Sequence, residues 1–429
     1  MIAALLVALV AGGFLLGGSS GSSSGGGGAT AGARAAAAKV AGIARRVETI
    51  RGLRFKRLPK PLIVTAARTR ADALRELDRH SSAVERRTAA QVLELLGLLK
   101  PGIDLRAIEG DVAGEQVAGY YDTHRKRLAI VAGPGASDGV LSEITLAHEL
   151  DHALDDQAIG LRDIASVGAD DASSAYTALV EGVATWVMDD YARKFIDPRA
   201  ALKSSLAALG ASGSSTAGIP PYVLSSLLFS YVLGEKFVAR LREVAHGWKL
   251  VNYALRSRPP VSTEQVIHPD KYLVDERPVR VRLPVRGMVP PGWRRVAHGT
   301  IGEFDTDQLL RLGASDGVAG DAAAGWGGGS YSLWAPAGGG AAECASPCRS
   351  RSALVVGWAW DTPADAAQFR RALPAYVVNG LDARPVAGGG SWSVGGGAVA
   401  VRARGLRTAL AFAPSAALAG RLASGALGR

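Results

Sequence analysis

The sequence predicts an α+β fold: a mainly helical domain with a small β-sheet, followed by a smaller α+β domain. The length of 429 residues exceeds what one ordinary hydrophobic core holds. Amphipathic helical patterns dominate as far as residue 255, whereas beyond Pro290-Pro291-Gly292 short β-type runs alternate with glycine-rich turns. We therefore expect domains at residues 29–289 and 290–429, preceded by a leader at residues 1–28.

Residues 1–17 are apolar or small, and a Gly/Ser-rich stretch follows them. The run is shorter than the roughly 20 residues that span a bilayer, and it suits the apolar region of a secretory signal. The basic residues that usually precede such a region are missing, which leaves open an uncleaved anchor or a start further upstream. We expect an extracytoplasmic protein, either secreted or tethered to a membrane through this segment.

The net charge of +10 is unevenly distributed. Residues 34–100 contain 16 Lys/Arg and 6 Asp/Glu, whereas residues 101–200 contain 8 and 18. We expect helices of the basic segment partly to neutralise the acidic one; contact with anionic lipid, cell-wall polymer or nucleic acid is the alternative. The basic segment lacks interleaved aromatic residues and no nucleic-acid motif occurs, so no nucleic-acid partner is predicted.

A predicted helix over residues 139–157 carries the motif His148-Glu149-Leu150-Asp151-His152. Residues four apart lie one turn apart on the same helix face, so His148 and His152 can direct ring nitrogens at one metal ion. Glu149 lies beside them, close enough to move a proton on a water at the metal but angled away from ligation. The spacing therefore predicts a metal centre; a charged helix face with these letters by chance is the alternative.

A catalytic zinc site needs a third protein ligand besides two histidines. Glu181 is the first glutamate after His152, and it lies among apolar residues of a second predicted helix at 175–195. A rigid helix holds a ligand better than a loop does, which favours Glu181. The competing carboxylates lie further along the motif helix or in the intervening loop: Asp155, Asp156, Asp163, Asp170 and Asp171.

These residues resemble a known family. The two histidines, followed on a second helix by "EGVA" at residues 181–184, look like the metal motif of the gluzincin metallopeptidases. With "EQVAGYYD" and "PPVSTEQVIHPDKYL", the motifs are similar to a group of exported bacterial gluzincin-like proteins of poorly defined substrate. The resemblance covers roughly residues 45–285.

The resemblance implies a zincin-like catalytic domain that hydrolyses peptide bonds in a protein or peptide substrate. Zn²⁺ would be bound by His148, His152 and Glu181, and Glu149 would act as general base toward a metal-activated water. The Gly-x-Met-Glu-Asn signature of many gluzincin aminopeptidases is absent, which favours an endopeptidase. An exported zinc-binding structural or interaction module without turnover is the alternative, and the intact Glu149 argues against it.

The reaction also needs a hydrogen-bond donor for the oxyanion. His268 is favoured, because it lies in a polar, proline-punctuated loop downstream of the metal helices, where gluzincins commonly place such a donor. The alternatives are tyrosines: Tyr120, Tyr121, Tyr176 and Tyr272.

Two positions depart from the family pattern. Asp151 takes a position that is usually threonine in related motifs, and Thr185 stands where thermolysin-like enzymes carry an aspartate. The second change removes a partner that orients a ligand histidine, and loss of such a partner can matter 10–100-fold. Asp156, one turn beyond His152, or another acidic residue is a candidate substitute.

Two β-type runs, Val117–Tyr121 and Arg127–Val131, flank a polar turn and predict a hairpin. The first run resembles the edge strand to which gluzincins add an extended peptide substrate; an internal strand is the alternative.

The only two cysteines, Cys344 and Cys348, rule out a multi-cysteine zinc site. They can close one small disulfide loop in an oxidising compartment; two unpaired thiols in a turn are the alternative. Nearby, Trp326, Tyr331 and Trp334 are expected to fill the second core rather than to form a stacking surface. The oligomeric state is not predictable from the sequence.

Overall fold

A computed structural model describes residues 29–115, 119–131, 140–162, 171–200, 218–337 and 344–428. The predicted leader at residues 1–28 lies outside the described residues, as do Asp163 and Asp170. The architecture confirms the predicted α+β class: a helical region with a three-stranded sheet precedes a region built on a seven-stranded antiparallel sheet.

The first region is mainly helical. Its helices are α1 (Ala29–Arg51), α2 (Ala66–His80), α3 (Ala83–Leu95), α4 (Leu105–Glu115), α5 (Val140–Ala158), α6 (Asp171–Phe195), α7 (Pro221–Leu228), α8 (Gly234–Ala245), α9 (Lys249–Arg256), α10 (Thr263–Ile267) and α11 (Pro269–Leu273). A π-helical turn, Phe229–Leu233, joins α7 to α8. The strands β1 (Pro61–Val64), β2 (Gly119–Asp122) and β3 (Arg127–Val131) form a sheet in the order β1-β3-β2.

The second region has strands in the order β4-β5-β6-β10-β9-β8-β7. The strands are β4 (Trp293–Gly299), β5 (Trp326–Pro336), β6 (Ala353–Trp360), β7 (Arg384–Pro385), β8 (Ser391–Val394), β9 (Gly397–Arg404) and β10 (Arg407–Ala413). Helices α12 (Glu303–Arg311), α13 (Asp316–Ala323) and α14 (Pro363–Ala375) lie on one face, and α15 (Ala416–Ala426) lies on the other.

One hydrophobic core crosses the predicted boundary at residue 290. Side chains of α6 and α8, such as Leu179 and Phe237, belong to the same buried cluster as Trp326 and Trp358 of the large sheet. Trp326, Tyr331 and Trp334 are buried, as expected for core residues. The two regions therefore stabilise each other through shared apolar burial.

The run Pro221–Ala245 is the one stretch of helix in the described residues that is long and apolar enough to cross a membrane. Half of its most apolar window is buried inside the protein, and Phe229, Phe237 and Val238 belong to the main core. The run therefore packs as part of the protein core.

The predicted hairpin and the motif helix agree with the structure as β2, β3 and α5. Residues 117 and 118 of the first predicted run lie outside the described residues. The segment around His268 is the main correction. A polar loop was expected there, but Ser262 caps the short helix α10 and Pro269 opens α11. Capping by serine and proline at the first helical position favour these two helical turns.

Helices α6 and α8 cross where two glycines meet. A Cβ built on Gly234 would lie 2.0 Å from the carbonyl oxygen of Ala178, and one on Gly182 would lie 2.2 Å from the carbonyl carbon of Gly234. The helices approach this closely only because neither residue has a side chain. Since Gly182 follows Glu181, the crossing sets the position of that carboxylate.

We expect Gly234→Ala to lower the free energy of unfolding by about 1–3 kcal/mol, because the added methyl group has no space. Gly42→Ala on α1 is the matched control: no atom lies within 4 Å of its added Cβ, and alanine favours a helix by about 1 kcal/mol. Urea denaturation of both variants measures this, and equal stability changes would contradict the packing described here.

Candidate metal centre

Two imidazole rings and one carboxylate group lie close together between α5 and α6. Nε2 of His148 lies 3.1 Å from Nε2 of His152 and 3.2 Å from Oε2 of Glu181. Nε2 of His152 lies 3.7 Å from the same carboxylate oxygen. The three residues are 0–2 % exposed. The helical spacing of the histidines and the packing of α6 against α5 therefore bring the predicted ligand set together in the protein interior.

The dimensions of this group fit a metal ion. Two ligand atoms of a tetrahedral zinc site with bonds of about 2.0–2.1 Å lie about 3.3 Å apart. Of the three observed separations, 3.1 and 3.2 Å are slightly shorter than this value and 3.7 Å is slightly longer. Their three atoms can thus hold a small cation at bonding distance, and they leave a fourth position for water or substrate.

Electrostatics also favour a cation at this point. Burial lowers the pKa of His148, which keeps that imidazole neutral with a lone pair available. Burial also opposes the charge on His152, but the carboxylates of Glu181, Glu149 and Asp151 outweigh it and raise its pKa to about 9. The carboxylates that favour a proton on His152 favour a metal ion in the same place.

Glu149 lies on the same helix turn, buried at 1 % exposure. Its Oε2 accepts a hydrogen bond of 2.8 Å from the backbone N–H of Tyr121 in β2. A backbone donor on a sheet strand holds the carboxylate in a fixed orientation beside His148. The small sheet therefore positions the residue that was predicted to act as the base.

Tyr231 is a site residue that the sequence analysis missed. Its ring centroid lies 6.0 Å from that of His148, and its hydroxyl hydrogen-bonds the carboxylate of Glu181. Burial, with Glu181 and Glu149 nearby, raises its pKa, so that the hydroxyl keeps its proton. The π-helical turn Phe229–Leu233 contains this tyrosine, and such turns often occur at functional sites.

Asp151, the unusual residue of the motif, belongs to a buried ionic cluster behind the histidines. Arg51 from α1 donates to Asp151 at 3.0 Å and to Asp155 at 2.5 Å. The same guanidinium donates to Asn252 and stacks 3.9 Å from the ring of Trp248. Arg51 thus links the motif helix to α1 and α9. Because Asp155 pairs with Arg51, its carboxylate is not available as the third metal ligand.

The expected loss of a partner for one ligand histidine is visible in the structure. Nδ1 of His148 and Oγ1 of Thr185 are both buried without a hydrogen-bond partner in the described part of the chain. Asp156 does not substitute, because it accepts hydrogen bonds from Tyr121 Oη at 2.8 Å and Lys126 Nζ at 2.7 Å. The suggestion that Asp156 orients a ligand histidine was wrong.

The predicted oxyanion donors have other partners. Nε2 of His268 lies 2.8 Å from Oε1 of Glu303, on α12 of the second region. The tyrosine hydroxyls are also engaged: Tyr120 with Asp72, Tyr121 with Asp156, Tyr176 with the N–H of Arg162, and Tyr272 with the carbonyl of Arg258. The remaining ligand candidate, Asp171, accepts hydrogen bonds from Thr263. The hydroxyl of Tyr231, which was not among the predicted donors, contacts the triad through Glu181.

A second group of carboxylates, Glu264, Glu276 and Asp361, is also close enough to hold a cation. The ammonium of Lys271 already lies among them, 2.6 Å from Glu264, 2.9 Å from Glu276 and 2.5 Å from Asp361. This cluster is an ion-pair network that joins α10 and α11 to the large sheet, so the His148 group remains the metal candidate.

The comparisons with known proteins concern mainly the second region. Residues 289–423 match a family described as a domain of unknown function (DUF8575). No curated protein and no solved structure matches the chain significantly. The matched segment excludes the buried triad, so the assignment of chemistry depends on the motifs and on the geometry of the site.

We expect the purified protein to bind one zinc ion, and His148→Ala, His152→Ala and Glu181→Ala each to abolish this binding. Three ligands are needed for a catalytic-type site, so removal of one leaves two at most. Elemental analysis after dialysis against a weak chelator measures the stoichiometry. His80→Ala, a surface histidine that pairs with Glu76, is the control and should keep its zinc. Full zinc occupancy in Glu181→Ala would show that another group is the third ligand.

Proposed function

We propose that the protein is an exported zinc-dependent peptidase, specifically an endopeptidase acting on proteins or peptides. The observation that carries this proposal is the association of a buried His/His/Glu group with a second carboxylate, Glu149, held by the sheet. A purely structural metal site has no use for a base beside the ion and usually closes its fourth position. The triad supplies three ligands, which would leave the fourth position of a tetrahedral ion for water or substrate.

Each residue has a separate role in this proposal. Zinc, when bound by the triad, would supply Lewis acidity toward a water or a carbonyl oxygen. Glu149 would accept the proton of the attacking water and later pass it to the leaving amine. Tyr231, with its protonated hydroxyl near Glu181, would donate a hydrogen bond to the oxyanion of the substrate.

His268 remains a predicted donor with a less direct route to the site. Its imidazole faces Glu303, which raises the pKa of His268 and favours its charged form. To contact a substrate it would have to leave this partner. Tyr231 also has a partner, Glu181, but that partner is a member of the triad and the tyrosine ring lies beside His148. We therefore assign the oxyanion role first to Tyr231, for its proximity, and treat His268 as the second candidate.

The small sheet supports a peptide as the substrate class. Among the described residues, strand β2 lies at one edge of the small sheet, next to β3, and the N–H of its residue Tyr121 donates to Glu149. An extended chain added along this edge would lie next to the proposed base. A peptide added to an edge strand is bound through its backbone hydrogen bonds, so it needs no free terminus. This mode of binding supports cleavage within a chain.

Export is proposed from the apolar first 17 residues and from the disulfide between Cys344 and Cys348. Disulfides persist mainly outside the cytoplasm. Labelling of the unreduced, exported protein with a thiol reagent should detect no free thiol. Two reactive thiols would remove the support that the disulfide lends to export.

A zinc-binding module without turnover is the second candidate. One observation favours it: Glu149 and the three ligand residues are each at most 2 % exposed. A substrate reaches Glu149 only if neighbouring groups move. Turnover therefore has to be measured separately from metal binding.

We expect Glu149→Gln to bind zinc like the wild type and to lose most hydrolysis of casein or of a peptide library. Glutamine keeps the shape and can still accept the hydrogen bond of Tyr121, but it cannot take a proton from water. Undiminished cleavage by Glu149→Gln would contradict the mechanism. Absence of cleavage by the zinc-loaded wild type across broad libraries would favour the module without turnover.

We expect Tyr231→Phe to lower kcat by about 10²–10³ with zinc retained, because one oxyanion donor is lost. Tyr272→Phe is the matched control: its hydroxyl bonds the carbonyl of Arg258, and its loss should leave kcat within a few-fold. His268→Ala separates the two donor candidates. A larger fall in kcat for His268→Ala than for Tyr231→Phe would reverse their assignment.

A further inference from the structure

An extended segment, residues 279–285, crosses one face of the large sheet. The N–H of Val279 bonds the carbonyl of Gly327 at 2.7 Å, and the hydroxyl of Ser330 bonds the carbonyl of Val281 at 2.9 Å. A Cβ on Gly357 would lie 2.8 Å from Leu283, so the strands admit this segment because they carry glycine there. Val281 and Val285 are buried against the sheet and Leu283 is half-buried, whereas Val279 is 55 % exposed.

The residues between them, Arg280 and Arg282, are exposed and form no ion pair with described residues. The start of the crossing segment, Val279, lies against Gly328 of β5. In the neighbouring strands the residues level with Gly328 are Ala359 of β6 and then Arg407 of β10. The arginines of the crossing segment therefore lie at the same end of the sheet as Arg407.

Strands β9 and β10 add two more arginines at this end. Arg404 and Arg407 are directly opposite each other across a two-residue turn, on the face that α15 covers further along. Like charges at opposed positions destabilise a sheet. Arg404 bonds the carbonyl of Leu427 at the end of α15, but no carboxylate among the described residues compensates the pair. A bound anion would relieve this repulsion.

The exposed Arg421 of α15 completes the set, which we call the arginine face: Arg280, Arg282, Arg404, Arg407 and Arg421. Most carboxylates of the described second region lie on α12 to α14 or in the loop after them: Glu303, Asp305, Asp307, Asp316, Asp321, Asp365 and Asp382. Asp361 follows β6 at the end of the sheet that carries Arg407, and there it pairs with Lys271. The second region is thus electrostatically polarised, with one face that attracts anions.

Aliphatic side chains accompany these arginines. Leu406, at the tip of the β9–β10 turn, is 40 % exposed, and Met288, at the end of the crossing segment, is 39 % exposed. The large aromatic side chains exposed among the described residues are Phe195 and Tyr253, both in the first region. Stacking on nucleic-acid bases therefore has no platform here. Arg280, Arg282, Arg404 and Arg421 are exposed and Arg407 is half-buried. Arginines at a surface with short apolar side chains beside them are the combination that binds the headgroup layer of an anionic bilayer.

We infer that the arginine face docks on a membrane surface rich in anionic phospholipid. Arg404 and Arg407 would bind headgroup phosphates, and Leu406 would enter the interface. This contact does not involve the residues of the proposed peptidase site.

The test uses the full chain, in which Cys344 and Cys348 are joined, so that an introduced cysteine is the labelling site. Leu406→Cys carries a polarity-sensitive fluorophore, and quenching by spin-labelled lipid reports contact. Val318→Cys on α13, 51 % exposed on the opposite face, is the matched control. We expect quenching at position 406, but not at 318, in vesicles with about 30 % phosphatidylglycerol, and loss of this quenching in phosphatidylcholine vesicles or at about 0.5 M salt.

In the same probe background, Arg404→Gln/Arg407→Gln should lower the ratio of docked to undocked protein about 25-fold, since each basic side chain near an anionic surface contributes roughly a fivefold factor. Arg371→Gln, an exposed arginine on α14, should change it less than twofold. Equal quenching at positions 406 and 318, or no dependence on phosphatidylglycerol, would overturn the inference. Arginine-dependent binding of duplex DNA without vesicle binding would overturn it in favour of a nucleic acid.

Discussion

The convergence of His148, His152 and Glu181 inside an apolar core is the interaction on which the first region depends. Polar and charged groups are buried at low cost only when they satisfy one another. This requirement sets the distance between α5 and α6, and the glycine contact between α6 and α8 allows it. Arg51 meets a similar requirement one layer behind, where it compensates two aspartates of the motif helix.

The large sheet contributes to this arrangement although none of the triad residues belongs to it. It shares the main core with α6 and α8, and the pairs His268–Glu303 and Lys271–Asp361 join it to the helices next to the site. The second region therefore stabilises the helices that surround the candidate metal centre. The arginine face, on the opposite side of the sheet, remains available for a different partner.

The sequence predicts the part of the site that follows helical geometry. The spacing of His148 and His152 and the apolar setting of Glu181 are local features, and the structure brings these residues together. Tyr231 could not be assigned to the site in this way. A π-helical turn determines where its side chain points, and a tyrosine in an apolar run is normally interpreted as a core residue. The partner of His268 was also unpredictable, since the contact with Glu303 joins residues 35 positions apart in different regions.

The most direct test of the central claim is anomalous diffraction at the zinc absorption edge from crystals of the zinc-loaded protein. The account predicts one strong peak bonded to Nε2 of His148, Nε2 of His152 and the carboxylate of Glu181, at about 2.0–2.2 Å from each. A peak at the Lys271 carboxylate cluster instead, or no peak at the triad, would contradict it.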